Sequence, residues 1–455
     1  MSGTGKAHRY PLSQLLPYGL LGLPLAALGL PLTVFLPPFY SEMPGLNTGI
    51  VGVMIFGARL FDVITDPAIG TLSDRTGLSM GRRRPYIALG TPILMIAAWF
   101  LFVPGPSASA AYLLIWSMLA YLGWTLIYLP YTTLGAEMSS DYDERTRITA
   151  WREGFFVLGT MVAIMLPAGV SKVAGGQAAG LEAIAIFLLV ALPIAAILFL
   201  WRVPEPHGTR SNVKWAESVK LLAANAPFRR LLIAYLLNGA ANGLPAALFL
   251  FFVTGILGAS QATAGIFLAI YFLSAVLGLP VWFRIGRNWS KHRLWCASML
   301  WVAFVFIFTM TLSTNTYSFV VYTLICILGG SCLGVDQATA ASIQADVIDE
   351  DTAAGGDGRA GLYFGLWGMA TKLAFAVALG IAYPVLWLAG FEAGQSNDAT
   401  ALWTLAALYG LLPVAIKLGV VAFMWNFPLD RRRHAELQER IGRGDATARP
   451  GEAGA

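Results

Sequence analysis

Three ionisable side chains, Arg59, Asp62 and Asp66, stand in the first half of IFGARLFDVITDPAIGTLSDRTGLSMGRRRP, residues 55–85, and that half is apolar enough to belong to a membrane span. On a helix turning roughly 100° per residue they fall within about 60° of one another, so one face carries all three. In hydrocarbon each unpaired charge costs about 3 kcal/mol or more, and such residues are read first as functional sites. That face must therefore look toward protein or water. Two carboxylates one turn apart repel until positive charge comes between them, and the chemistry they suit is the binding of a hard monovalent cation or a proton. Pro67 adds to this by leaving the carbonyl of Val63 without its helical donor. The competing reading is an Arg–Asp pair that only holds a helix bundle together.

The elements that must position these groups are membrane helices. Of the 455 residues 57% are hydrophobic and 12% charged, with a mean hydropathy of +0.66, where a soluble protein carries about 25% charge. Runs of about 20 apolar residues place twelve spans near 15–40, 48–73, 86–103, 111–134, 152–171, 181–201, 229–254, 262–283, 294–312, 318–343, 361–388 and 402–427. The apolar run from Tyr10 to Ser41 reads as the first span rather than a cleavable leader, and its prolines predict an irregular helix. All of the 30 Lys and Arg except Lys172, Arg59, Lys372 and Lys417 fall in the tails, in loops after even-numbered spans or, like Arg152, Arg229 and Arg230, at the span ends that border those loops, which puts both termini in the cytoplasm. Topology and anionic lipid thus account for the net charge of +5 without a nucleic-acid partner. The expected fold is an all-α membrane protein of two six-helix bundles: residues 1–202, a central cytoplasmic loop at 203–228, residues 229–428, and a cytoplasmic tail at 429–455.

The two halves read as repeats. One and the same shift lays Arg82 on Lys291, Arg84 on Arg293 and Glu137 on Asp346. Two parallel six-span repeats are the layout of transporters whose site lies at the midplane between the halves. Asp74, Arg75, Arg82, Arg83 and Arg84 after the second span, with Asp346 and Arg359 in the second half, read as a conformational latch at helix ends. In the fourth span Trp124, Tyr128 and Tyr131 recur at helical spacing beside Thr125, an aromatic and hydroxyl stripe that suits either packing or a ligand. Asp336 and its neighbour Gln337 lie in the tenth span and Lys372 in the eleventh. Lys417, in the twelfth, reads as a side chain that snorkels to the interface. Cys296, Cys326 and Cys332 lie within spans at no metal or disulfide spacing and read as small buried apolar residues.

On ARLFDVITDPAIGTLSD and GRRRP in the first half, and ADVIDED, Arg359 and the Lys372 region in the second, the chain resembles the glycoside-pentoside-hexuronide:cation symporter branch of the major facilitator superfamily. The resemblance covers nearly the whole length. It implies that Asp62 and Asp66 bind Na+, Li+ or H+, that Thr65 stands where the family usually has Asn, that Thr125 matches the cation-ligating threonine of the fourth helix, and that Lys372 matches the lysine near the site. The sugar-holding acids of the galactoside members are not matched. The first-helix position falls in a run without an acid, the fourth-helix position is Tyr128, the fifth-helix position falls near Gly154 with Arg152 two residues earlier, and Gln337 stands where a Trp is common. Trp124, Tyr128, Arg152, Asp336 and Gln337 are the residues left to recognise a cargo.

The sequence thus predicts a multi-pass inner-membrane symporter, monomeric and in contact with lipid. It would couple Na+ or H+ to a small polar solute, with sugars and glycosides among the candidates, by alternating access, with Arg59 and Lys372 in its charge network and no resident cofactor. The alternative on the same fold is proton-coupled transport of an amphipathic, lysolipid-like molecule. An intramembrane aspartyl protease would need YD and GxGD, where this chain has Phe61-Asp62 and Leu333-Gly334-Val335-Asp336, so no enzymatic activity is expected. The retained cation residues argue against a non-transporting assembly factor.

Overall fold

The computed structural model describes residues 9–76, 80–139, 141–174, 176–205, 225–353 and 360–429. Among the described residues there is no strand, and twelve helices are long and apolar enough to cross a membrane. They are α1 Leu12–Ser41, α2 Thr48–Gly70, α3 Arg84–Phe102, α4 Ala110–Glu137, α5 Arg147–Ala174, α6 Gln177–Arg202, α7 Ala226–Gly255, α8 Gln261–Asn288, α9 Lys291–Thr311, α10 Thr316–Asp351, α11 Tyr363–Leu388 and α12 Ala399–Met424. Each of the twelve expected spans has its helix, and the chain is a multi-pass membrane protein.

Local sequence explains where these helices begin. Asn47 accepts from the Ile50 amide at 2.8 Å ahead of α2, and Asn225 does the same for Phe228 at 2.9 Å ahead of α7, each satisfying one of the amides that a helix start leaves open. The proline-rich α1 is irregular, as its composition predicts. It runs on as a helix through Pro17 and Pro24 and widens to a π-turn at Pro31–Phe35, one way a buried helix absorbs residues that cannot donate. α2 continues through Pro67 without a break.

Contacts divide the chain into two units. The first is built on the described residues of Met1–Ser211 with Ala259–Gly265 and Leu379–Asp398; the second is built on those of Asn212–Gly258, Ile266–Ala378 and Ala399–Ala455. In the first, α3 packs on α4 and α6, and α1 on α5 and α6; in the second, α9 packs on α10 and α12, and α7 on α12. The pairings α3–α4, α3–α6 and α1–α6 thus recur six helices later. Glycines permit the tightest crossings: a Cβ added at Gly159 of α5 would lie 2.1 Å from the carbonyl oxygen of Leu23 in α1, a separation that only a small residue allows. The core of the second unit is apolar, with Phe228, Trp295, Met299, Val347, Tyr363 and Met424 among its buried residues.

Candidate cation site

The charged face of α2 packs on α4, and this buries Asp62 to 1% exposure while Asp66 stays half-buried. The Thr125 hydroxyl, 1% exposed on α4, stands 3.0 Å from Asp62 Oδ1 and 2.8 Å from Asp66 Oδ1. A hydroxyl owns one hydrogen and can donate it to one carboxylate at a time. Its oxygen is therefore held within hydrogen-bonding distance of a second oxygen, a contact that becomes favourable when a proton or cation is shared among the three. The donor set fits a hard monovalent cation, which prefers oxygen. Thr65 spends its own hydrogen on the Asp62 backbone carbonyl at 3.1 Å, leaving its lone pairs as the part that could ligate.

Arg59 completes the face. Its guanidinium is 4.0 Å from Asp62 Oδ2, a loose ion pair, and 4.3 Å from the ring centre of Tyr121, which lies one turn before Thr125 on α4. Sequence reasoning misses Tyr121, although its four-residue spacing from Thr125 puts it on the same face. The ring face holds the cation of Arg59 next to Asp62.

The aromatic stripe of α4 borders this cluster. Trp124 and Tyr128 have ring centres 5.9 Å apart, and Tyr128 meets Phe156 of α5 at 6.0 Å. Tyr128 is close enough to feel the charges of Asp66, Arg152 and Glu153. Arg152 donates to Glu153 at 2.8 and 3.0 Å and lies beside Tyr18 of α1. Tyr131 is buried, and its hydroxyl has no hydrogen-bond partner among the described residues.

The remaining predicted residues lie elsewhere. Asp336 is buried in the second unit, taken up by Asn238, Asn242 and Trp295, while its neighbour Gln337 is exposed. Lys372 is half-buried on α11. Lys417 does not snorkel as expected: at 3% exposure it donates to Asn238 and Asn242, because those amides offer it acceptors inside the bundle. Of the latch residues, Arg82 and Arg83 bind Glu137 at 3.2 and 2.6 Å, Arg84 donates to the Leu200 carbonyl, and Asp346 binds Lys291 at 2.6 Å. Glu205 accepts from the Arg82 and Arg83 amides at 2.7 and 2.9 Å, capping the start of α3. The side chains of Asp74 and Arg75, and Arg359 as a whole, lie outside the described residues. Just before α1, the Tyr10 amide donates to Glu144 at 2.9 Å, and burial together with this carboxylate pushes the phenol above its ordinary pKa.

An acidic oxygen cluster on α2 and α4, within twelve membrane helices paired as a repeat, is a transporter's architecture. The sequence profile of the MFS/sugar transport protein family matches residues 17–431. The chain belongs to this family. Similar proteins include the sodium-dependent lysophosphatidylcholine symporter 1-A of Danio rerio, 25% identical over 92% of this chain and 84% of that protein. The human sodium-dependent lysophosphatidylcholine symporter 1 is 25% identical over 86% of this chain and 78% of that protein. The inner membrane symporter YicJ of Escherichia coli is 26% identical over 53% of each. Among solved structures, nucleoside transporter NupG superposes with a TM-score of 0.68 at 16% identity, over 91% of this chain and 100% of that one. A D-xylose-proton symporter does so at 0.66 and 15%, over 91% and 96%. These two establish the fold.

Proposed function

We propose that this family member is a secondary active symporter in which Na+ or H+ binds at Asp62, Asp66 and Thr125 and drives uptake of a small polar solute, with sugars and glycosides among the candidates. The observation that carries the reading is one threonine hydroxyl within hydrogen-bonding distance of two buried or half-buried carboxylates. Cation binding removes the repulsion between the acids. Tyr128 is proposed to connect that event to cargo, since it follows Thr125 on α4, packs against Trp124 and Phe156, and with Trp124 and Arg152 offers aromatic faces, a hydroxyl and a guanidinium. Lys372 is proposed to complete the charge network, and the two ligands to stabilise one conformation in an alternating-access cycle. The test is Asp62→Cys in membrane vesicles, with a solute found by thermal-shift screening with and without Na+. Cation-stimulated uptake is lost while the protein remains in the membrane. Undiminished gradient-driven uptake by that variant refutes the reading.

A second reading, an amphipathic lysolipid-like cargo, has its own support. Relatives named as sodium-dependent lysophosphatidylcholine symporters align with most of the chain. α5 also presents an open apolar face of Ala150, Trp151, Gly154, Phe155 and Leu158 with Arg147 at one end, chemistry that matches an acyl chain with an anionic head. Lipids that compete for the bound solute where sugars do not would decide for this cargo.

A further inference from the structure

The second unit contains a charged cluster that the cation site does not use. Asp336 on α10 accepts from Asn238 Nδ2 at 2.9 and 3.1 Å, from Asn242 Nδ2 at 2.9 Å and from Trp295 Nε1 at 2.5 Å. The oxygens of the same two amides turn the other way and accept from Lys417 Nζ on α12, at 2.7 and 2.8 Å. This orientation is chemically forced, since an ammonium only donates and a carboxylate only accepts. Asn238 and Asn242 are one turn apart on α7, so a single helix face reads a positive charge with its oxygens and a negative one with its nitrogens. The surroundings are apolar, with Tyr235, Trp295, Cys296, Met299 and Val420 buried nearby.

We infer that the Lys417 ammonium is a tethered counter-cation filling a preformed cation cage of amide oxygens, balanced by Asp336, and that this cage takes a primary alkylammonium when the tether is cut. Three observations separate it from an ordinary surface lysine. Lys417 is 3% exposed, both its acceptors are neutral amide oxygens, and Asp336 is 7% exposed yet touched by three different donors. Burial of one charge without the other is costly, while the pair together is neutral. The Lys417 cage is already occupied by the chain itself.

The test needs no transport assay, so its failure is distinct from failure of the symport reading. Lys417→Ala removes the equivalent of one n-propylammonium ion, and its thermal midpoint in detergent should fall by about 5 °C or more. n-Propylammonium chloride should restore at least half of this loss in a saturable way, with tetramethylammonium chloride at equal ionic strength restoring none and the wild type unmoved by either. An unchanged midpoint in Lys417→Ala, or a loss that the two salts affect equally, overturns the inference. If Lys417→Ala cannot be purified, Lys417→Met is compared with Lys417→Met/Asp336→Asn. The neutral pair should be the more stable, and a double variant no better than the single one overturns the inference too.

Discussion

Thr125 is the residue on which the proposed cation site turns, because its hydroxyl oxygen stands 3.0 and 2.8 Å from two carboxylates and has one hydrogen to give. Thr125→Val keeps the shape and removes both the donor and the third oxygen. A hydrogen bond to a charged group contributes about 1.5–3 kcal/mol, so the cation concentration for half-maximal uptake should rise at least about tenfold. Thr125→Ser, which keeps the hydroxyl, should stay within about threefold. Equal effects of the two would assign the position to packing alone. Arg59 sets the second prediction at this scale. Its guanidinium lies 4.3 Å from the centre of the Tyr121 ring and 4.0 Å from Asp62, so Tyr121→Leu releases it to close on the carboxylate and compete with the incoming ion. A cation–π contact of about 0.5–2 kcal/mol translates into a several-fold weaker apparent cation affinity, measured by cation titration of uptake. Tighter cation binding in Tyr121→Leu would show that Arg59 does not compete.

Helices hold these residues in place through contacts that leave no room for substitution. Gly159 shows this against backbone, since an added Cβ would meet the carbonyl oxygen of Leu23 at 2.1 Å, whereas one at Gly154 on the same helix would meet nothing within 4 Å. Gly159→Ala should therefore lower the thermal midpoint by several degrees through forced separation of α1 and α5, and Gly154→Ala should leave it unchanged. Matching midpoints for the two variants would contradict this account of the crossing. Much at this scale is legible in the sequence. The repeat read from Arg82 against Lys291 and Glu137 against Asp346 corresponds to two ion pairs, Arg82–Glu137 at 3.2 Å and Lys291–Asp346 at 2.6 Å, each joining residues 55 apart in the chain. Charge periodicity on α2 likewise places Arg59, Asp62 and Asp66 on the face that packs against α4. The Lys417 cluster is not legible. Its members come from α7, α9, α10 and α12, with Lys417 179 residues from Asn238, and no local pattern announces such a meeting. A lysine in the later turns of a span has the same sequence signature whether it reaches for water or for a buried amide. The i, i+4 pair Asn238 and Asn242 inside an apolar run is the one available hint.

Across the whole molecule, symport requires that cation and cargo favour the same state, and thermodynamics makes that preference reciprocal. Coupling energies of about 1–3 kcal/mol correspond to about 5- to 150-fold changes in affinity. If saturating cation raises solute affinity by some factor in this range, saturating solute must raise cation affinity by that same factor. The proposed route runs through Tyr128, which follows Thr125 on α4 and borders Trp124 and Phe156. Calorimetric titration of each ligand in the presence and absence of the other measures both factors on the purified protein. Tyr128→Phe keeps the ring and removes the hydroxyl. If the hydroxyl transmits the coupling, both factors should shrink together while the affinity for cation alone stays near wild type. If instead solute affinity proves indifferent to cation in the wild type, Asp62 and Asp66 hold an ion for stability alone, and the carrier is a uniporter. The two outcomes differ by at least about fivefold in one titration, so the experiment separates a coupling site from a structural one whichever cation the cell supplies.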